Sequence, residues 1–227
     1  MNDYCITTLS CGAKYREHLK ENILTNQGIL ASRVKFFIVT DEPDYFKDLD
    51  YRFVVHKIHP VYYTDIHPDK TKNWFNYHLK RFAIKAAVNN GYSKILYIDS
   101  DIRVLEWNRD FLIKQKKGFY FRRTFGRDLY PEKHQYYSEK YRVDLWNYYR
   151  PVSEKLIFIN EDIEKINSFI NVWDYLDKNS IGEINPYSEG YEIAISCRFN
   201  NIQVHKYDPD PFKGDNSTLK DLHIRNY

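Results

Sequence analysis

The stretch Lys94-Ile95-Leu96-Tyr97-Ile98-Asp99-Ser100-Asp101 limits the fold more than any other part of the sequence. Four apolar residues, Ile95 to Ile98, follow the turn-like Asn89-Asn90-Gly91 and run straight into two aspartates one residue apart. A short β-branched and aromatic run between turn signals reads as a buried strand. Such a strand has no place for carboxylates along its length. Asp99 and Asp101 therefore fall at its C-terminal tip, the edge where open α/β sheets bind ligands. Two carboxylates this close repel each other, and the pKa of at least one rises unless a cation intervenes. Hard oxygen ligands suit Mg2+ or Mn2+, cations usually shared with substrate phosphates. The stretch thus predicts a metal-diphosphate site at a strand end. Its bland alternative is a solvated acidic turn, since Asp-Ser-Asp is ordinary loop chemistry; the strand, and the helix read before it, favour the site.

Strand and helix signals alternate along the rest of the chain. Tyr4 to Ser10 is β-rich and opens into Cys11-Gly12. Residues 15–26 carry Leu19, Ile23 and Leu24 at helical spacing, with Gly28 beyond. Val34 to Val39 and Tyr51 to Ile58 read as strands. Asn73 to Asn89 is the strongest helix: Phe75, Leu79, Phe82, Ala83 and Ala86 form a core stripe, and Gly91 follows in a C-cap region. Lys80 and Arg81 lie beside that stripe, either as a solvated flank or within reach of a diphosphate held on Asp99 and Asp101.

Beyond the aspartates, Ile102 to Leu105 and Gly118 to Arg123 read as strands and Asn108 to Lys116 as a short helix. Residues 124–150, rich in Tyr and Trp and without clear period, read as an insertion or lid. Lys155 to Asn160 is a strand and Asp162 to Lys178 a helix. Ser188 to Cys197 is a helix whose first turn holds Glu189 and Glu192, near the positive end of the dipole. Ile202 to His205 is a last short strand, and 208–227 reads as a loop-like tail. This order predicts an α/β three-layer sandwich around a central, mostly parallel sheet. The 227 residues are enough for a single domain.

Composition narrows the partners. A hydrophobic content of 43% with 29% charged residues fits a soluble globular domain. The net charge of +3 does not require nucleic acid and tolerates an anionic substrate. The 21 tyrosines suit stacking on sugars or bases as well as plain packing. Cys5, Cys11 and Cys197 form no Cys-x-x-Cys pair; they offer neither a disulfide framework nor a zinc knuckle and fit a reducing compartment. His56, His59, His67 and His78 lack a familiar zinc-ligand spacing. No basic-then-apolar leader and no apolar run of membrane-spanning length is present.

The segment His78-Leu79-Lys80-Arg81-Phe82-Ala83-Ile84-Lys85-Ala86-Ala87, followed by Gly91-Tyr92-Ser93-Lys94-Ile95-Leu96-Tyr97-Ile98-Asp99-Ser100-Asp101, resembles the GT-A-type glycosyltransferases. These share a basic residue on a helix, a Gly-Tyr turn, an apolar strand and a metal-binding Asp-x-Asp. Ile6-Thr7-Thr8-Leu9 and the strand Phe36 to Val39 with Thr40-Asp41 are similar to their nucleotide-binding half. The resemblance implies a GT-A-like (Rossmann-like) domain over 1–227, with 1–105 binding the nucleotide-sugar and 106–227 the acceptor. It implies a donor, usually a UDP-sugar, a glycan or other hydroxyl acceptor, and Mn2+ or Mg2+. Asp99 and Asp101 would hold the metal, and Asp99 and Ser100 would meet the donor. Thr7, Thr8 and Asp41 would line a uridine pocket, and Lys80 or Arg81 would steady the diphosphate. His223 would be a further metal ligand, with His205 second. Glu189 and Glu192 would be the carboxylates near the acceptor. Many such enzymes work behind a membrane anchor; its absence suggests that this chain is cytoplasmic, from a bacterium or from a virus in its host, or is a trimmed piece of a longer protein.

Two other readings use the same residues. A phosphatase of the haloacid dehalogenase type also ends an apolar strand in Asp-x-Asp, but its motif lies near the N-terminus and continues into small residues, where Ile102-Arg103 stands here. A non-catalytic sugar- or nucleic-acid-binding module would use the aromatic, basic stretch around Arg122-Arg123, Arg127 and Lys133 and would not need the aspartates.

Overall fold

The computed structural model describes residues 4–25, 33–58, 79–104, 114–121, 124–125, 131–144, 150–151, 156–180, 189–206 and 219–221. In chain order the elements are β1 (Cys5–Ser10), α1 (Ala13–Thr25), β2 (Phe36–Thr40), a 3-10 turn (Pro43–Phe46), β3 (Phe53–Lys57), α2 (Lys80–Asn89), β4 (Lys94–Ile98) and β5 (Ile102–Val104). They continue with β6 (Gly118–Phe121), β7 (Thr124–Phe125), α3 (Pro131–Tyr141), β8 (Arg150–Pro151), β9 (Leu156–Asn160), α4 (Ile163–Ser180), α5 (Glu189–Phe199), β10 (Val204–Lys206) and β11 (Leu219–Asp221).

Seven strands form one sheet in the order β10-β6-β9-β4-β1-β2-β3. Its ladders are parallel except where β9 runs against β4 and β6. Side chains alternate across a strand with period two, and here both faces are covered. Cys5, Leu9, Phe37, Val39, Ile95 and Tyr97 pack with Ala83 and Ala87 of α2, Phe169 and Trp173 of α4 and Ile193 of α5. Tyr4, Ile6, Phe36, Ile38, Leu96 and Ile98 pack on the other face with Leu19 and Ile23 of α1 and Phe46. The expected three-layer sandwich with a mostly parallel sheet is the fold observed. Burial on both faces explains why the strands read as unbroken apolar runs. Among the described residues no helix is long and apolar enough to cross a membrane.

α2 ends as its sequence predicts. Gly91 takes a φ of +83°, and the Tyr92 amide returns to the Ala87 carbonyl at 3.3 Å, so a left-handed residue closes the helix and turns the chain into β4. Three expectations differ. Residues 114–116, read as the end of a helix, are not helical; the Gln115 and Lys116 carbonyls accept bonds from Asn160 Nδ2. Residues 108–113 lie outside the described residues, as do 73–78. The stretch 124–150 contains a helix, α3, whose Tyr137 is buried and stacks on Tyr191 of α5 at 5.1 Å. The tail supplies β11, which pairs antiparallel with β5 and sets Asp221 opposite Ile102.

Gly118 begins β6 with a φ of +141°, and a Cβ there would lie 2.7 Å from the Gln203 carbonyl and 2.6 Å from the His205 ring. Gly118→Ala combines a backbone angle that L side chains avoid with a backbone overlap. A loss of about 2–4 kcal/mol is expected in urea unfolding, with the Asp99-Ser100-Asp101 edge untouched.

Candidate functional site

The parallel strands β1, β2 and β4 end along one sheet edge, and β4 ends there in Asp99-Ser100-Asp101. The chain turns at once, the Ile102 amide bonding the Asp99 carbonyl at 3.0 Å. Ser100 and Asp101 are buried, and the Asp99 side chain keeps 14% of its surface exposed. Tyr97 lies two residues upstream and so on the same face; its hydroxyl donates to Asp99 Oδ1 at 2.6 Å. Lys80 at the start of α2 brings its ammonium to 3.3 Å from the same oxygen with a side chain only 5% exposed. Its charge also lies 5.8 Å from the Tyr97 ring centroid.

Leu9, Cys11 and Tyr15 from β1 and the start of α1 complete a cleft over these groups. Its volume is about 30 Å3, room for a cation and a water rather than for a sugar. Two hard-oxygen carboxylates beside an ion-sized hollow fit a divalent cation such as Mg2+ or Mn2+. Among the described residues no group of three or more His, Cys, Asp or Glu gathers, so any third protein ligand lies elsewhere.

Of the paired candidates Lys80 and Arg81, the structure brings Lys80 to Asp99. Arg81 is adjacent in sequence but leaves the other flank of the helix. Its Nε and Nη2 lie 3.1 and 2.9 Å from Asp174 Oδ1, and its Nη1 lies 2.6 Å from Asp177 Oδ2. Asp41 sits at the end of β2 on the functional edge. It accepts from the Gly12 amide at 3.1 Å and from Arg16 Nη1 at 2.5 Å, so it ties the β1–α1 loop to β2.

The assignment of Thr7 and Thr8 to a uridine pocket is not met, since both are fully enclosed. Thr7 Oγ1 donates to the Ala83 carbonyl at 2.7 Å and stitches β1 to α2. Thr8 faces the opposite layer, where its hydroxyl and that of Ser10 are buried without a hydrogen bond.

Glu192 is likewise fully enclosed, with Trp173 Nε1 donating to its Oε2 at 3.1 Å. A general base must touch the proton it takes; in this conformation Glu192 holds α4 to α5 instead. Glu189 opens α5, and its side chain lies outside the described residues, as does His223. His205 stacks on Tyr120 at 4.7 Å in β10, three strands from β4 on the far wing of the sheet, and so does not meet Asp99. Sequence reasoning missed Tyr97, Cys11 and Tyr15; the period of two in the strand was the available signal for Tyr97.

Burial, and next the negative charge of Asp41, push the Cys11 thiol up to about 12. Cys5 and Cys197 are buried and raised as well. All three are therefore thiols at neutral pH and poor nucleophiles. Iodoacetamide at pH 8 is expected to label none of them rapidly in the native protein, and all three after denaturation, by intact mass.

No protein-family model matches the sequence, and no curated protein matches it. Comparison of the three-dimensional fold defines the architecture: the sheet and its flanking helices form a GT-A-like α/β fold, similar to that of solved glycosyltransferases. The active-site mutant Q189E of LgtC superposes with a TM-score of 0.55 at 12% identity, over 89% of this chain and 72% of that one. The galactosyltransferase LgtC with donor and acceptor sugar analogues gives a TM-score of 0.52, again at 12% identity and over the same shares of the two chains, 89% and 72%. The glycosyltransferase GlyE of Streptococcus pneumoniae TIGR4 gives 0.51 at 13% identity, over 92% of this chain and 45% of that one. At these identities the likeness is one of fold.

Proposed function

We propose that this chain is a metal-dependent glycosyltransferase that moves a sugar, a hexosyl group, from a nucleotide-sugar, a UDP-sugar by preference, to a hydroxyl of a glycan or similar acceptor. The observation that carries the reading is the placement of Asp99 and Asp101 at the end of β4 with Lys80 beside them, on a fold shared with solved glycosyltransferases. On this reading Asp99 and Asp101 hold Mn2+ or Mg2+, which when bound offsets the negative charge of the donor diphosphate. Lys80 faces the same diphosphate and stabilises the charge that builds as the C1–O bond breaks. Tyr97 fixes the rotamer of Asp99, and Ser100 offers its hydroxyl to the donor. Asp41 holds the β1–α1 loop that carries Cys11 and leads to Tyr15 in the first turn of α1 over the cleft.

His223 is the third ligand of this proposal. β11 delivers Asp221 opposite Ile102, next to Asp101, and the two further residues to His223 span at most about 7 Å. Glu189 remains the acceptor-side carboxylate of the reading, Glu192 being enclosed.

The test is thermal unfolding across nucleotides and nucleotide-sugars, with and without Mn2+. A ligand present at a hundred times its Kd stabilises the native state by about 2.7 kcal/mol. A rise in Tm with UDP or a UDP-sugar that needs Mn2+ is expected. No metal-dependent rise with any nucleotide would sink the proposal and return Asp-Ser-Asp to an acidic turn.

A further inference from the structure

On the opposite flank of α2 from Asp99 lies a larger cleft of about 510 Å3, formed where the end of β3 meets α2 and α4. Its size falls in the range of small-molecule sites, about 300–1,000 Å3. Its floor is apolar, with Phe82 half-buried and Ile170 buried. Its rim is cationic: Lys57, Lys85, Lys178 and Arg81 all line it. The carboxylates there are already engaged, Asp174 by Arg81 and Lys178, and Asp177 by Arg81. Arg81 is itself 99% buried, since its side chain keeps 1% of its surface, so the positive wall is built into the helix packing. Lys57 and Lys85 are exposed on the rim and form no ion pair among the described residues.

Among the described residues the cleft has an apolar floor under surplus positive charge, and that suits one ligand chemistry. We propose that this cleft binds a small organic anion, with an apolar or ring-bearing body against Phe82 and Ile170 and a sulfate, phosphate or carboxylate group between Lys57 and Lys85. The site is separate from the Asp99 cleft and does not depend on the glycosyl-transfer reading. The two clefts share a wall, the first turn of α2, where Leu79 and Arg81 face one and Lys80 the other.

Fluorescence titration of the full chain with anilinonaphthalene sulfonate, an anion with a ring-bearing body, tests the proposal. Saturable binding of one dye per chain is expected, weakening as salt screens the rim. The Lys57→Glu/Lys85→Glu variant should bind at least about tenfold more weakly, while Asp99→Asn should bind as the wild type does. The uncharged parent anilinonaphthalene should bind weakly to both. Both lysines are exposed, so the melting temperature without dye should be unchanged; if the double variant fails to fold, Lys85→Ser carries the comparison. Equal affinity after charge reversal, equal affinity for the uncharged analogue, or binding that never saturates would overturn the proposal.

Discussion

Asp99→Asn is expected to lower kcat/KM for UDP-sugar turnover about a thousandfold, and Asp101→Asn about as much, in a UDP-release assay with saturating Mn2+. Asparagine keeps the shape of aspartate and can still accept from the Tyr97 hydroxyl, which bonds Asp99 Oδ1 at 2.6 Å. What it removes is the charge that, on the proposed function, draws a divalent cation. Loss of one donor aimed at transition-state charge costs about a hundred- to a thousandfold, and loss of a carboxylate ligand weakens the cation and the donor together. Lys80 gives the experiment its internal control. Its nearly enclosed ammonium lies 3.3 Å from Asp99, so Asp99→Asn also lowers stability, by about 1–3 kcal/mol, through a weakened charge-assisted contact. Lys80→Met should leave Mn2+ binding intact and cut kcat about a hundredfold. If both Asp variants keep wild-type turnover and the same dependence on Mn2+, the carboxylates are not the metal site.

The strand that ends in Asp99 was legible because burial on both faces leaves an apolar run with nothing polar until the sheet ends. The same property hid other features. An antiparallel β9 reads like a parallel one, since Leu156 to Asn160 packs both faces whichever way it runs. Thr7 and Thr8 are expected in a uridine pocket because the resemblance to the GT-A-type glycosyltransferases implies it. Only the packing shows Thr7 bonded to the Ala83 carbonyl. In the sequence Glu192 is a candidate as a carboxylate in the first turn of a helix near the acceptor side, and what the sequence lacks is the position of the Trp173 indole across the helix pair. β11 is only three residues long and owes its existence to β5 as a partner, a long-range pairing that local pattern does not encode. Lys80 and Arg81 are neighbours in sequence, but successive helical residues lie about 100° apart, so they serve different flanks of α2.

That separation makes Arg81→Met the second large effect. The guanidinium is 1% exposed and holds both Asp174 and Asp177, the latter also 1% exposed. Removing it takes the cation from Asp177, which is 1% exposed between α2 and α4, while the half-buried Asp174 keeps Lys178. Breaking a buried pair from one side costs about 3–5 kcal/mol, which for a chain of this size lowers Tm on the order of 10 °C. Replacing the pair together, as Arg81→Met with Asp177→Leu, should recover much of the loss, because apolar groups of similar volume fill the space without a stranded charge. The cost also depends on pH. Burial alone would raise the Asp174 carboxyl, but the Lys178 hydrogen bond and the Arg81 charge outweigh it and hold the group below its ordinary value. A depressed native pKa stabilises fully above the unfolded value of about 3.9 and loses that stabilisation as pH falls through the native value. The gap between wild type and Arg81→Met in urea unfolding should therefore be widest near pH 7 and narrow below about pH 4. If Arg81 instead met the donor diphosphate, Arg81→Met would cut turnover with stability intact, the reverse of the outcome that its place against α4 requires.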